Sequence, residues 1–146
     1  MDRPRMLGMV GLGRMGSGLS ARATQAGIEV VAYDPAPDSQ ARARDVGAIP
    51  ADDLRALVQA MPAPRAVWVM VPAGQTTQSV IDQLADEMAP GDTIIDGGNT
   101  FYRDDIHRAE GLSQRGLTYL DVGTSGGIWG TERGFCLMIG APSDVV

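Results

Sequence analysis

The 146-residue chain contains no lysine, and all twelve of its basic residues are arginine. A mechanism that needs a lysine base therefore cannot be completed from these residues. The single cysteine, Cys136, excludes an internal disulfide and has no metal-ligand spacing around it. The single histidine, His107, excludes a His-rich metal site. Long apolar runs are missing as well. The stretch behind Arg3 and Arg5 is short, glycine-rich and interrupted by Arg14, unlike a signal-peptide core. No run approaches the ~18 apolar residues of a membrane span. These absences predict a soluble, cytoplasmic protein with no membrane partner. The net charge of −6 argues against a general nucleic-acid binder, which would show a basic face.

What is present is an alternation of short apolar runs with helical periodicity, the pattern of an α/β protein with a parallel sheet. The length predicts a single domain, residues 1–146, with an ordinary hydrophobic core. Met6–Val10, Glu29–Tyr33, Ala66–Val71, Thr93–Asp96 and Thr118–Val122 read as strands, with a weak strand near Ala48–Ile49 and a last one at Phe135–Ile139. Between them, Met15, Leu19, Ala23 and Ala26 recur at helical spacing until Gly27. Leu54, Leu57, Val58 and Met61 form an i, i+3, i+4, i+7 face that Pro62 and Pro64 end. Further helices are expected over 40–46, from Thr76 or Thr77 to before Pro90, and over 102–115. Right-handed crossovers assemble such a chain into a Rossmann-type doubly wound, mostly parallel sheet.

The first strand runs into Gly11-Leu-Gly-Arg-Met-Gly16, and a helix runs out of it. In that context the Gly-x-Gly-x-x-Gly spacing points to a dinucleotide pyrophosphate. Gly11 allows the tight turn, Gly13 the close approach of phosphate, and Gly16 the close packing of helix on strand. Free N–H groups at the helix start favour the anion. Asp34 closes the second strand 23 positions after Gly11, where an acid accepts hydrogen bonds from the adenine ribose. Its charge also repels a 2′-phosphate, and Pro35-Ala36 brings no arginine, so NAD is expected over NADP. Arg14 is either a phosphate contact or a solvated surface residue.

Two later loops, Asp96-Gly-Gly-Asn-Thr100 and Gly123-Thr-Ser-Gly-Gly127, also follow strands. Loops at the carboxyl ends of parallel strands form the ligand crevice, which would set both beside the nicotinamide. Asn99 and Ser125 offer polar side chains, and Gly126-Gly127 offer backbone N–H groups suited to an anion. Spacing alone leaves them equally readable as tight turns, with Asn99 or Thr100 capping a helix.

Together and in order, Gly-Leu-Gly-Arg-Met-Gly, Met70-Val-Pro-Ala-Gly74, Asp-Gly-Gly-Asn-Thr, Asp121-Val-Gly-Thr-Ser-Gly-Gly-Ile-Trp-Gly130 and Cys136-Leu-Met-Ile-Gly140 resemble one family. It is the amino-terminal domain of decarboxylating 6-phosphogluconate dehydrogenase, within the wider β-hydroxyacid dehydrogenases. The Ser-Gly-Gly-Ile-Trp-Gly wording is similar to its shorter, often NAD-using branch. The resemblance implies that Arg14 and Met15 present backbone to the pyrophosphate, and that Val71, Pro72 and Ala73 line the nicotinamide side. It places Asn99 between cofactor and substrate, and Ser125, Gly126 and Gly127 against the substrate, a phosphosugar acid. The implied reaction oxidises the C3 hydroxyl of 6-phosphogluconate by hydride transfer and then loses carbon dioxide to give ribulose 5-phosphate.

In the family, a lysine base and a glutamate acid lie beyond the Leu-Met-Ile-Gly strand, on a helix leading to a helical second domain that builds the homo-oligomer. Neither that lysine nor that domain is within this sequence, so the chain alone is expected to lack useful dehydrogenase activity and to carry no catalytic residue. Two other readings compete: a stand-alone dinucleotide-binding module, and a 3-hydroxyisobutyrate-type relative, which the first loop's wording disfavours. His107 is expected on a helix surface, Cys136 as a small buried residue, and Trp68 in the core. Trp129 is left between the loop and a cover for the nicotinamide. Asp104 and Asp105 are read as partners of a helix dipole.

Overall fold

The computed structural model describes residues 6–72, 74–98, 102–125 and 130–140. Among the described residues, seven strands form one sheet in the order β3-β2-β1-β4-β5-β6-β7. They are β1 Met6–Val10, β2 Glu29–Tyr33, β3 Ile49–Pro50, β4 Ala66–Val69, β5 Thr93–Asp96, β6 Thr118–Ser125 and β7 Cys136–Gly140. The first six run parallel, and β7 returns antiparallel along β6. Six helices connect them: α1 Arg14–Gln25, α2 Ser39–Asp45, α3 Leu54–Gln59, α4 Gln75–Glu87, α5 Tyr102–Gln114 and the four-residue α6 Gly130–Arg133.

Strand alternation sorts the apolar residues onto two faces. On one, Val10, Val31, Val67, Val69, Ile94 and Tyr119 meet Leu57 and Val58 of α3, Ile81 and Leu84 of α4, and Leu112 of α5. On the other, Met9, Val30 and Ala32 meet Leu19 and Ala23 of α1 and Ala43 of α2. Each large aliphatic side chain buried this way contributes about 1.5–3 kcal/mol. The expected apolar face of α3 is thus in the core, with Met61 continuing it just past the helix end at 3 % exposure. Asp53 starts that helix by accepting the Ala56 N–H at 2.7 Å.

The order reverses between β1 and β4, both of which pair with nothing between them. Chain therefore leaves β1 toward β2 and leaves β4 toward β5, and a crevice opens at the carboxyl edge where they part. At the far edge, all five residues of β7 are exposed. Cys136 is exposed with them, against the expectation of a buried position, because the edge strand has no described helix over it. Trp68 is only partly buried, packed against the α1–α2 side of the sheet.

Candidate functional site

The glycine loop is braced from both sides before any ligand is considered. Gly11 donates its N–H to the Tyr33 carbonyl at 2.9 Å, at φ +101°, and a Cβ there would collide with the Met70 carbonyl. A Cβ on Gly16 would run into the Gly11 carbonyl, so only glycine lets α1 start this close to the loop. Gly13 differs. Its φ is an ordinary −69° and a Cβ would meet nothing within 4 Å, so nothing described in the chain requires a glycine there. Its absent side chain leaves room above the start of α1. That helix has no side-chain cap and no acid in its first turn, so its leading N–H groups and the positive end of its dipole are uncompensated.

This opening is part of a cleft of about 310 Å³ lined by Gly13, Arg14, Met15, Gly16, Met70, Val71, Pro72, Gly97, Gly98 and Thr124. Six of the residues named from the sequence thus meet in one place: Gly13, Arg14, Met15, Gly16, Val71 and Pro72. Met70 and Thr124 were given no role of their own, although both lie within stretches singled out from the sequence, Met70-Val-Pro-Ala-Gly74 and Gly123-Thr-Ser-Gly-Gly127. Among the described residues, Thr124 Oγ1 is buried without a hydrogen-bond partner, as is Trp68 Nε1 beneath Gly97. Ser125 is exposed at the end of β6 and does not line the cleft. Ala73, Asn99, Gly126, Gly127 and Trp129 lie outside the described residues.

Asp34 stands behind the glycine loop. One carboxylate oxygen accepts the Leu12 N–H and the other the Ala36 N–H, both at 2.8 Å. Each oxygen keeps a lone pair for a further donor. An arginine does reach this corner, though not from Pro35-Ala36. Arg42 of α2 donates to the Leu12 carbonyl and to Asp38, both at 2.7 Å, and its charge acts on Asp34. The sequence hid it because a helix turn carries it back from eight positions downstream.

Under the opposite wall of the cleft lies a buried charged cluster. Asp96, at the end of β5, accepts the Gly98 N–H at 2.9 Å with one oxygen. Its other oxygen is 2.8 Å from the Tyr119 hydroxyl, which is also 2.7 Å from Asp105 of α5. Arg108 Nη1 sits 3.6 Å from Asp96 and 3.5 Å from Asp105, while its Nε donates to Gln78 at 2.8 Å. Burial pushes the Asp96 carboxyl up, against the hydrogen bonds from Tyr119 and Gly98. Burial, and then Asp105, raise the Tyr119 hydroxyl far above its ordinary value. Asp121 on β6 is pushed up to about 6, first by burial and then by the charge of Asp105. Asp105 is therefore no simple partner of the helix dipole, while Asp104 stays exposed. His107 is exposed, as expected.

The profile of the NAD binding domain of 6-phosphogluconate dehydrogenase matches residues 6–146. The chain belongs to that family. An NAD(+)-dependent, decarboxylating 6-phosphogluconate dehydrogenase of Haloferax volcanii is 43% identical over 136 residues, covering 93% of this chain and 44% of the relative. Its counterpart in Bacillus subtilis is 36% identical over 143 residues, covering 95% and 31%. The chain thus spans less than half the length of these curated relatives. Among solved structures, a Plasmodium falciparum 6-phosphogluconate dehydrogenase superposes with a TM-score of 0.84 at 26% identity, over 94% of this chain and 31% of that one. A 3-hydroxyisobutyrate dehydrogenase of Mycobacterium tuberculosis shares the fold, with a TM-score of 0.86 at 24% identity over 95% of this chain and 47% of that one. The NAD-binding domain of 6-phosphogluconate dehydrogenase is accordingly a single Rossmann-like sheet here, flanked by helices on both faces. Among the described residues, no helix is long and apolar enough to cross a membrane, and no cluster of potential metal ligands exists.

Proposed function

We propose that this chain binds NAD in the cleft and serves as the cofactor-binding part of an NAD-dependent, decarboxylating 6-phosphogluconate dehydrogenase. The observation that carries this reading is the uncapped start of α1, opening across Gly13 onto a cleft whose far wall is Gly97-Gly98. Gly11, Gly13 and Gly16, with the backbone of Arg14 and Met15, would hold the pyrophosphate. Asp34 would accept from the adenine ribose with the lone pairs its backbone partners leave free. Val71, Pro72 and Ala73 would flank the nicotinamide. Asn99, Ser125, Gly126 and Gly127 would hold the phosphosugar acid. Bound NAD supplies the hydride acceptor; these residues supply orientation and charge.

Lysine is absent from all 146 residues, so a lysine base must come from outside them. Positioned proton transfer typically contributes 10²–10⁴-fold. The chain alone is therefore expected to bind cofactor without turning over 6-phosphogluconate. Arg42, beside Asp34, favours a second, weaker affinity for NADP through its charge. Calorimetry with each dinucleotide tests both statements. NAD is expected to bind more tightly than NADP, and an absence of NAD binding at millimolar concentration would reject the proposal.

A further inference from the structure

Helix α4 buries one stripe against the sheet, made up of Thr77, Ile81, Leu84 and Ala85. An aliphatic residue would serve the core at the first of these positions. Thr77 carries a hydroxyl there instead, at 0 % exposure, and a buried hydroxyl left unpaired is costly. Helical side chains lean back toward the start of their helix, and a threonine ordinarily bonds the carbonyl three or four residues before it. Thr77 Oγ1 reaches one residue further and donates to the Pro72 carbonyl at 2.8 Å, in the wall of the cleft. The Met70 N–H bonds the Val10 carbonyl at 2.7 Å, and beyond it the chain leaves the sheet. Pro72 has no N–H to offer. On the far side of this wall, a Cβ on Gly98 would stand 3.2 Å from the Val71 carbonyl, so the two loops approach closely. The glycine loop uses the same device: Ser17 Oγ of α1 donates to the Leu12 carbonyl, five residues back, at 2.9 Å. Leu12 also donates to Asp34 and accepts from Arg42, whereas Pro72 is held through its carbonyl.

We propose that Thr77 is a positioning residue for the nicotinamide half of the dinucleotide, its hydroxyl fixing the Val71-Pro72 wall against which that ring is held. The inference rests on the cofactor reading above and adds to it a residue that touches no ligand. Thr77 is fully buried beneath the wall and does not line the cleft. The groups assigned to ribose and pyrophosphate, Asp34 and the glycine loop, lie at the ends of β2 and β1 and the start of α1, across the β1–β4 switch. A change at Thr77 therefore separates the two halves of the ligand. A wall held by one net hydrogen bond can loosen only by about that bond's worth, which is about fivefold in affinity and not a complete loss.

Calorimetry of the parent, Thr77→Val and Thr77→Ser chains with NAD and with ADP-ribose, which lacks the nicotinamide, reads this separation. Valine keeps the shape and suits the buried stripe, while serine keeps the donor. Thr77→Val is expected to bind NAD about fivefold more weakly and ADP-ribose as the parent does, with Thr77→Ser close to the parent for both. In the ligand-free chain, the order parameter of the Val71 N–H should fall below the rigid-backbone value of about 0.85 in Thr77→Val alone. Unchanged NAD affinity in Thr77→Val, an equal loss for both ligands, a serine variant as weak as the valine one, or unchanged order at Val71 would each overturn the proposal. Binding of neither ligand by the parent would instead reject the cofactor reading, and the order at Val71 would still decide whether Thr77 holds the wall.

Discussion

Asp34 and Asp96 end two parallel strands of one sheet and close the same turn, each accepting the N–H of the residue two positions on, Ala36 and Gly98. Their second oxygens differ. That of Asp34 takes another backbone N–H, from Leu12, so the glycine loop is tied to the end of β2 by two amide hydrogens, this one and the Gly11 N–H on the Tyr33 carbonyl. That of Asp96 takes the hydroxyl of Tyr119, which Asp105 also claims. One wall of the cleft is held by amide hydrogens alone, and the other also through the side chains of a buried cluster that includes Tyr119 and Arg108. The same residue type at equivalent ends of two strands thus ties its loop to backbone on one side and to a buried side-chain cluster on the other.

The comparison can be broken hardest at Gly16. In Gly16→Val the side chain meets the Gly11 carbonyl, and the glycine-loop wall must move. A loss of about 1–3 kcal/mol in stability is expected, as for other overpacked sites, with NAD binding abolished in calorimetry. Unchanged affinity would show that this loop is not the pyrophosphate cradle. Asp34→Ala strips the acceptor from two part-buried N–H groups and should cost about 1–3 kcal/mol by denaturant unfolding. It should also narrow the preference for NAD over NADP.

Beside the buried carboxyl cluster the effect is smaller and appears as a pH profile. The folded state raises Asp121 from 3.8 to about 6, so it binds that proton more tightly than the unfolded chain does. The resulting stabilisation is full below pH 3.8, falls as pH rises through about 6 and is absent beyond. Subtracting the melting curves of Asp121→Asn from those of the parent chain should isolate that slope. The smallest effect belongs to a pair on neither wall. Arg55 and Glu87 meet at 3.0 Å on the surface, and Arg55→Ala should change stability by about 0–1 kcal/mol, less in high salt.

How much of this was legible beforehand follows from what each feature depends on. β1, β2 and β5 matched residue for residue, because a buried parallel strand is a short apolar run whose ends are marked by glycine or a turn acid. β4 stops at Val69 rather than Val71, since Met70 makes one last bond to Val10 before Pro72, which has no N–H, turns the chain into the cleft. β3 and α6 were weak or unread because a two-residue strand and a four-residue helix carry no periodicity. The glycine side of the cleft was readable from local spacing. The carboxyl cluster was not. Asp96, Asp105, Tyr119 and Asp121 fall on three different elements, and each has a plainer local reading as a turn acid, a dipole partner or a core residue. Only the register of β5 on β6, and α5 lying across them, brings them together.

The Trp68 indole, lodged under Gly97 beside the Met70 sulfur, gives the molecule an optical gauge of its own. Tryptophan emission shifts with the polarity and mobility of its surroundings, and this ring touches the one loop that both the cleft and the carboxyl cluster act on. With Trp129 replaced, a change in either is expected to show in the emission of Trp68 without any added label.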